Sequence, residues 1–212
     1  MKLLKLLPLL FALSLAPVML TGLNAATLTY TSTVPLTATD WTNTMTVPRF
    51  NVSGATLTAV TVEVQGYITN RLYAESRSSL ARTITVTNTT DLVVTAPNLP
   101  TIQTTLTNGD KVPLSGFDGV IDYAGASGFS IGADAEVEDE DNVTNLTPWV
   151  GSGTVNVVAT AKATSGYTGP ADYSFLTETT ASACITVTYT YDEPCRPLKP
   201  RHKKHWRFRR DR

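Results

Sequence analysis

The chain has 212 residues, a formal net charge of −1, two Cys and two His. These values exclude a collagen-like repeat, a disulfide-dense miniprotein and a polytopic membrane protein. The charge balance hides a segregation: residues 193–212 hold nine of the 17 basic groups against two acids, whereas residues 27–192 hold six basic and sixteen acidic groups, a net of −10.

Residues 1–26 begin with Lys2 and Lys5, continue through an apolar stretch from Leu6 to Leu20 and end in Thr21-Gly22-Leu23-Asn24-Ala25-Ala26. A basic start, an apolar middle and small residues at the end are the pattern of a secretory signal helix, here cleaved after Ala25 or Ala26. Pro8 and Pro17 break the roughly 20 continuous apolar residues that an uncleaved anchor needs. The expectation is an exported mature chain with no transmembrane span.

Residues 27–192 contain 35 of the 36 threonines, most of them at every second position beside an apolar residue. Around Thr27 to Thr31, Thr42 to Val47, Thr56 to Val64, Thr83 to Thr87 and Ile185 to Tyr191 the period is two, as half-buried strands require. β-Branched Thr suits the exposed face of a pleat. No long segment carries apolar residues at helical spacing free of Gly and Pro. Turn signals at Asp40, Ser53-Gly54, Asn70, Asn88 to Asp91, Pro97 to Pro100, Asn108 to Asp110, Gly125 to Gly128, Gly151 to Gly153 and Ser165 to Gly169 divide the body into about ten strands. The predicted fold is all-β, a single antiparallel β-sandwich. Its expected core comprises Tyr30, Trp41, Phe50, Leu57, Val60, Val62, Val64, Ile84, Val86, Val93, Phe117, Ile121, Val155, Val157, Ile185, Val187 and Tyr189.

Several stretches of this body, namely Val34-Pro35-Leu36-Thr37-Ala38-Thr39-Asp40-Trp41-Thr42, Val47-Pro48-Arg49-Phe50-Asn51, Gly54 to Val60, Thr85 to Thr89 and Thr186 to Tyr191, occur in that order. As a series they resemble the bacterial choice-of-anchor E domain family. The resemblance implies a secreted or surface-displayed all-β domain of unknown biochemical role, held by different C-terminal anchors in different proteins. It brings no catalytic residues. The chain departs from the family pattern in having Asn51 where Asp usually follows the Phe, a polar insertion near Arg71 to Arg82, and neither an apolar span before its final arginines nor a sortase-type motif.

Between Thr107 and Thr144 there is no Thr, and Gly and Asp dominate. The segment reads as a surface excursion or edge hairpin, too short for a core of its own. It holds the densest acidic run, Asp134, Glu136, Glu138, Asp139, Glu140 and Asp141. Hard oxygen ligands at this density suit Ca²⁺, which takes six to eight of them, though the spacing is not that of an EF-hand. A solvated loop of mutually repelling charges is the plainer reading. No other cofactor is expected. Asn51, Asn88, Asn142 and Asn145 each head an Asn-x-Ser/Thr pattern, which Thr-rich sequences produce by chance.

Both histidines, His202 and His205, fall in residues 193–212, so the body has no imidazole for Ser-His-Asp or Cys-His chemistry. No enzymatic activity is expected, although two suitably spaced carboxylates would suffice for a glycosidase. Cys184 and Cys195 are not expected to pair. If residues 184–191 form one strand its ends lie about 23 Å apart, four further residues reach back at most about 14 Å, and bridged Cα atoms must approach within about 7 Å.

Residues 193–212 form a basic tail expected to be disordered, stiffened at its start by Pro194, Pro197 and Pro200. Its candidate attachment residues are Arg196, Lys199, Arg201, Lys203, Lys204, Trp206, Arg207, Phe208, Arg209, Arg210 and Arg212. Cations interleaved with aromatic rings suit a cell-envelope polyanion or anionic glycan. The acidic, exported body makes a specific nucleic acid the poorer partner. The sequence thus divides into a signal (1–26), a β-sandwich (27–192) and a basic tail (193–212). Two readings of function follow: a secreted or cell-surface structural or adhesive sandwich held by its cationic tail, or an extracellular carbohydrate-binding module, Ca²⁺-assisted through the acidic run.

Overall fold

The computed structural model describes residues 25–170 and 172–193. The expected signal up to Asn24 and the expected tail from Pro194 onward lie outside the described residues. Within them the fold is all-β, with two four-stranded antiparallel sheets packed as a sandwich. The strands are β1 (Ala25–Ala38), β2 (Trp41–Pro48), β3 (Thr56–Ser76), β4 (Arg82–Thr95), β5 (Ile102–Leu114), β6 (Gly128–Asn142), β7 (Thr154–Thr168) and β8 (Tyr173–Asp192). Sheet A has the order β1-β8-β3-β6 and sheet B the order β2-β7-β4-β5. Only the β4–β5 connection stays within one sheet; every other one crosses from sheet to sheet. None of the described helices is long and apolar enough to cross a membrane.

Eight strands stand where about ten were expected, because three of the turn signals lie inside strands. Asn70 sits within the 21 residues of β3, Asn88 to Asp91 within β4 and Asn108 to Asp110 within β5. The Thr-free segment is not an edge hairpin either. Its two strands belong to different sheets, β5 closing one edge of sheet B and β6 one edge of sheet A, with residues 115–127 crossing between them.

Alternation does the folding work. In β3, Val60, Val62, Val64, Ile68 and Leu72 point inward, and in β8 Ala181, Ala183, Ile185, Val187 and Tyr189 do the same. The main cluster joins these to Met45, Val47, Phe50, Val155, Val157 and Trp149. Gly66 is required where the sheets approach: a Cβ there would lie 2.5 Å from Leu92 Cδ2 and 2.8 Å from Val137 Cγ1. Three expected core residues are elsewhere. Val93 faces outward, because the parity running through Ile84 and Val86 selects Leu92 and Val94. Phe117 and Ile121 are exposed in the crossing loop.

Tyr189 is wholly buried, and its hydroxyl donates to the Pro48 carbonyl at 2.8 Å. Burial, reinforced by Tyr30 and opposed by Arg49, pushes its pKa up to about 12. The folded value exceeds the unfolded one of about 10, so this stabilisation is complete below about pH 10 and is lost as pH rises through about 12. The loss across that window is expected to be about 2–3 kcal/mol. Tyr189→Phe gives up about 1 kcal/mol at neutral pH but removes this share of the alkaline decline. Urea midpoints on either side of about pH 10 test the assignment. A variant that keeps the parent's full alkaline drop contradicts it.

Candidate functional site

The outer face of sheet A is polarised, and its layout follows from strand register. Thr31, Thr186, Glu63 and Glu140 form one row across β1, β8, β3 and β6. The next row is Thr33, Cys184, Gln65 and Glu138, and the one after it holds Ser182, Tyr67 and Glu136. Each row thus passes from small neutral side chains on β1 or β8 to a carboxylate at the β6 edge. Asp134 follows two residues beyond Glu136 and accepts from Arg71 Nη1 at 2.9 Å. That hydrogen bond, with the neighbouring negative charge, raises the Arg71 pKa further. Both partners are exposed, so the pair adds little to stability. Gln65 Nε2 donates to Glu63 Oε1 at 2.7 Å, which fixes one carboxylate in the face.

An open groove of about 530 Å³ crosses the middle rows. Gln65, Tyr67, Glu136, Glu138, Ser182 and Cys184 lie along it. The register shift in β1 between Val34 and Thr37 places Pro35 at its far end. Cys184 is a free thiol, half-buried among hydroxyl side chains. Burial and then Glu63 raise its pKa, against a hydrogen bond with Thr186, so its reactive thiolate is disfavoured. β8 runs unbroken through residues 184–191, as the distance argument against a Cys184–Cys195 bond assumes. Cys195 itself lies outside the described residues.

The acidic run, read as a loop, is most of strand β6, and the pleat divides it. Asp134, Glu136, Glu138 and Glu140 face outward in register with Thr69, Tyr67, Gln65 and Glu63, whereas Asp139 and Asp141 pair with Val64 and Val62 and face the other way. Among the described residues no group of three or more His, Cys, Asp or Glu side chains is placed to hold a metal ion. On an edge strand these charges also discourage pairing with a foreign sheet. The tail residues Arg196, Lys199, Arg201, Lys203, Lys204, Trp206, Arg207, Phe208, Arg209, Arg210 and Arg212 lie outside the described residues.

One polar feature has no counterpart in the sequence reading. Asn88, heading one of the acceptor patterns, is wholly buried and binds four side chains between the sheets. Its Oδ1 accepts from Asn70 Nδ2 and Thr90 Oγ1, and its Nδ2 donates to Ser165 Oγ and Thr179 Oγ1. Glu75, Ser76, Ser127 and Tyr173 also have buried oxygens without a hydrogen-bond partner among protein groups. The tyrosine pKa is raised by burial and then by Tyr167.

No protein-family model and no curated protein matches the chain. Among solved structures, that of the infectious bursal disease virus Gx strain is similar at 9% identity and a TM-score of 0.20. The alignment covers 87% of this chain and 42% of the viral one, so the chain spans less than half of that protein. Similarity at that level bears on neither fold nor function.

Proposed function

We propose that the chain is an exported, non-enzymatic β-sandwich of structural or adhesive use, retained at the cell envelope by its cationic C-terminal segment. The observation that carries this reading is charge segregation. Nine cations, with Trp206 and Phe208 among them, follow a body of net charge −10. Attraction to an envelope polyanion therefore falls to the tail, while the body is repelled and held away from the anionic surface. The resemblance to choice-of-anchor E domains supports the same picture of a displayed domain. A carbohydrate module is the poorer fit, because the groove is bordered by Glu136 and Glu138 and has Tyr67 as its one aromatic side chain. That lining suits a cation better than a neutral sugar.

The test uses polyphosphate as the polyanion, with the full chain compared against one ending at Cys195. If the tail makes six to ten phosphate contacts, affinity is expected to drop about a thousandfold as salt rises from about 50 to 200 mM. The shortened chain is expected to show neither the affinity nor the salt slope. In cell fractionation a high-salt wash should release the full chain, since ions screen such contacts. Equal retention of the shortened chain in the envelope fraction refutes attachment by the tail.

A further inference from the structure

The acidic rows of sheet A point to an occupant within the chain itself. We propose that residues 196–212 dock in cis on the outer face of sheet A, with the tail cations against Glu140, Glu138 and Glu136 and Trp206 at the groove beside Tyr67. Polyanion would then have to displace this contact before it gains the tail.

Charge complementarity is the first argument. Glu63, Asp134, Glu136, Glu138, Glu140 and Glu178 project from this face, and Arg71 is the one basic side chain among them, already paired with Asp134. Glu136, Glu138 and Glu140 are exposed, and no ion pair engages any of them among the described residues. The opposite face, on sheet B, instead presents Lys111 and Lys162, with Asp91 in register beside Lys162.

Reach is the second argument. β8 ends at Asp192, in register with Ala25 and Thr56, at the same end of sheet A where β6 finishes at Asn142. The Glu63–Glu140 row is level with Thr186, six residues back along β8 and so about 20 Å from the exit. The Tyr67–Glu136 row is level with Ser182, about 33 Å from it. Residues 194–212 span up to about 63 Å when extended. After about four residues to reverse direction, Lys203 comes level with Glu140, and Trp206, about 30 Å along, comes within side-chain reach of the Tyr67–Glu136 row. A neutral peptide of equal length would reach as far but would find no charge to hold it.

The experiment places a nitroxide on His205→Cys in a Cys184→Ser, Cys195→Ser background of the full chain and reads amide signal loss by NMR without any polyanion present. Loss of intensity is expected at Gln65 to Tyr67 and Glu136 to Glu138 at low ionic strength, with Thr42 to Thr46 on the opposite sheet unaffected. The loss should vanish near 1 M salt, where the screening length falls to about 3 Å. It should also vanish in Glu136→Gln/Glu138→Gln/Glu140→Gln, whose exposed positions leave the core intact. Unchanged intensities on sheet A, or equal loss on both sheets, overturn the proposal. So does a comparable loss when nitroxide-bearing chains without isotope are mixed with isotope-labelled chains free of nitroxide, because that contact is between copies. The tail is shared with the envelope reading, but this measurement involves no polyanion, so either idea can fail while the other stands.

Discussion

Trp149→Ala is expected to lower unfolding free energy by about 3–5 kcal/mol, the range for deleting a large aromatic side chain from a packed core. Trp149 closes a single 3₁₀ turn, Thr147–Trp149, between β6 and β7, and its side chain is fully buried. The indole meets Tyr189 edge-on with ring centroids 6.5 Å apart, and Tyr189 in turn contacts Phe50 and Tyr30. The turn is tied to the β2–β3 connection by Phe50 N–H donating to Trp149 O at 2.8 Å and Gly151 N–H donating to Phe50 O at 3.0 Å. Removing the indole therefore opens a cavity at the junction of four aromatic side chains. At roughly 2–4 °C per kcal/mol for a domain of this size, the melting temperature should fall by about 10 °C or more. Trp149→Phe should lose less than half as much. It keeps ring contacts and removes the Nε1–H, which has no hydrogen-bond partner among protein groups. Thermal unfolding followed by circular dichroism measures both. A shift for the alanine variant no larger than that for phenylalanine would show that the ring is not a keystone of this junction.

This tryptophan also marks where sequence reasoning stopped. The strands were legible because a Thr-apolar alternation admits no other regular structure, and β2, β3, β7 and β8 carry their inward residues at the expected parity. Trp149 was not legible, since it stands in a Pro-containing loop with no period to place it. Phe117 and Ile121 were apolar, but nothing local told that their loop lies outside the sheets. Val93 was misplaced within Leu92-Val93-Val94, although counting by twos from Ile84 and Val86 gives the right answer. Strand order was beyond reach: six of seven connections cross between sheets, so neighbours in sequence are rarely neighbours in a sheet.

The candidate site was half legible. The acidic run was plain, and once it is placed on a strand, period two separates Asp139 and Asp141 from the other four. That Glu63, far away in sequence, joins the row of Glu140 depends on the β3–β6 register, which no local pattern encodes. The same holds for the asparagines. Asn70, Asn88 and Asn108 read as turn signals because Asn favours turns in isolation. In the fold they are brought together by pairing, Asn88 opposite Asn108 within sheet B and Asn70 facing them from sheet A. A tertiary hydrogen-bond network here overrides local propensity.

That network supports the second large prediction. Asn88→Ala is expected to destabilise the fold by about 3–4 kcal/mol, with a fall in melting temperature of roughly 10 °C. The side chain is wholly buried and uses both ends of its amide, so its loss strands Asn70 Nδ2, Thr90 Oγ1 and Thr179 Oγ1 together, whereas the exposed Ser165 Oγ keeps its bond to Thr177 Oγ1. Each buried group left unpaired costs about 1–3 kcal/mol, partly recovered where neighbours re-pair. Asn70 Oδ1 and Asn108 Nδ2 lack protein partners and can take up part of what is stranded, which keeps the cost below the sum of the separate groups. Because the cost comes from stranded partners and not from lost volume alone, Asn70→Leu/Asn88→Leu should be more stable than Asn88→Ala, since it removes the largest stranded group and fills the space. Urea denaturation of Asn70→Leu, Asn88→Leu and the double variant gives the coupling energy. Additive losses would mean that the two asparagines do not act as one unit. A cost below about 1 kcal/mol for Asn88→Ala would mean that this layer of the sandwich does not depend on its polar seam.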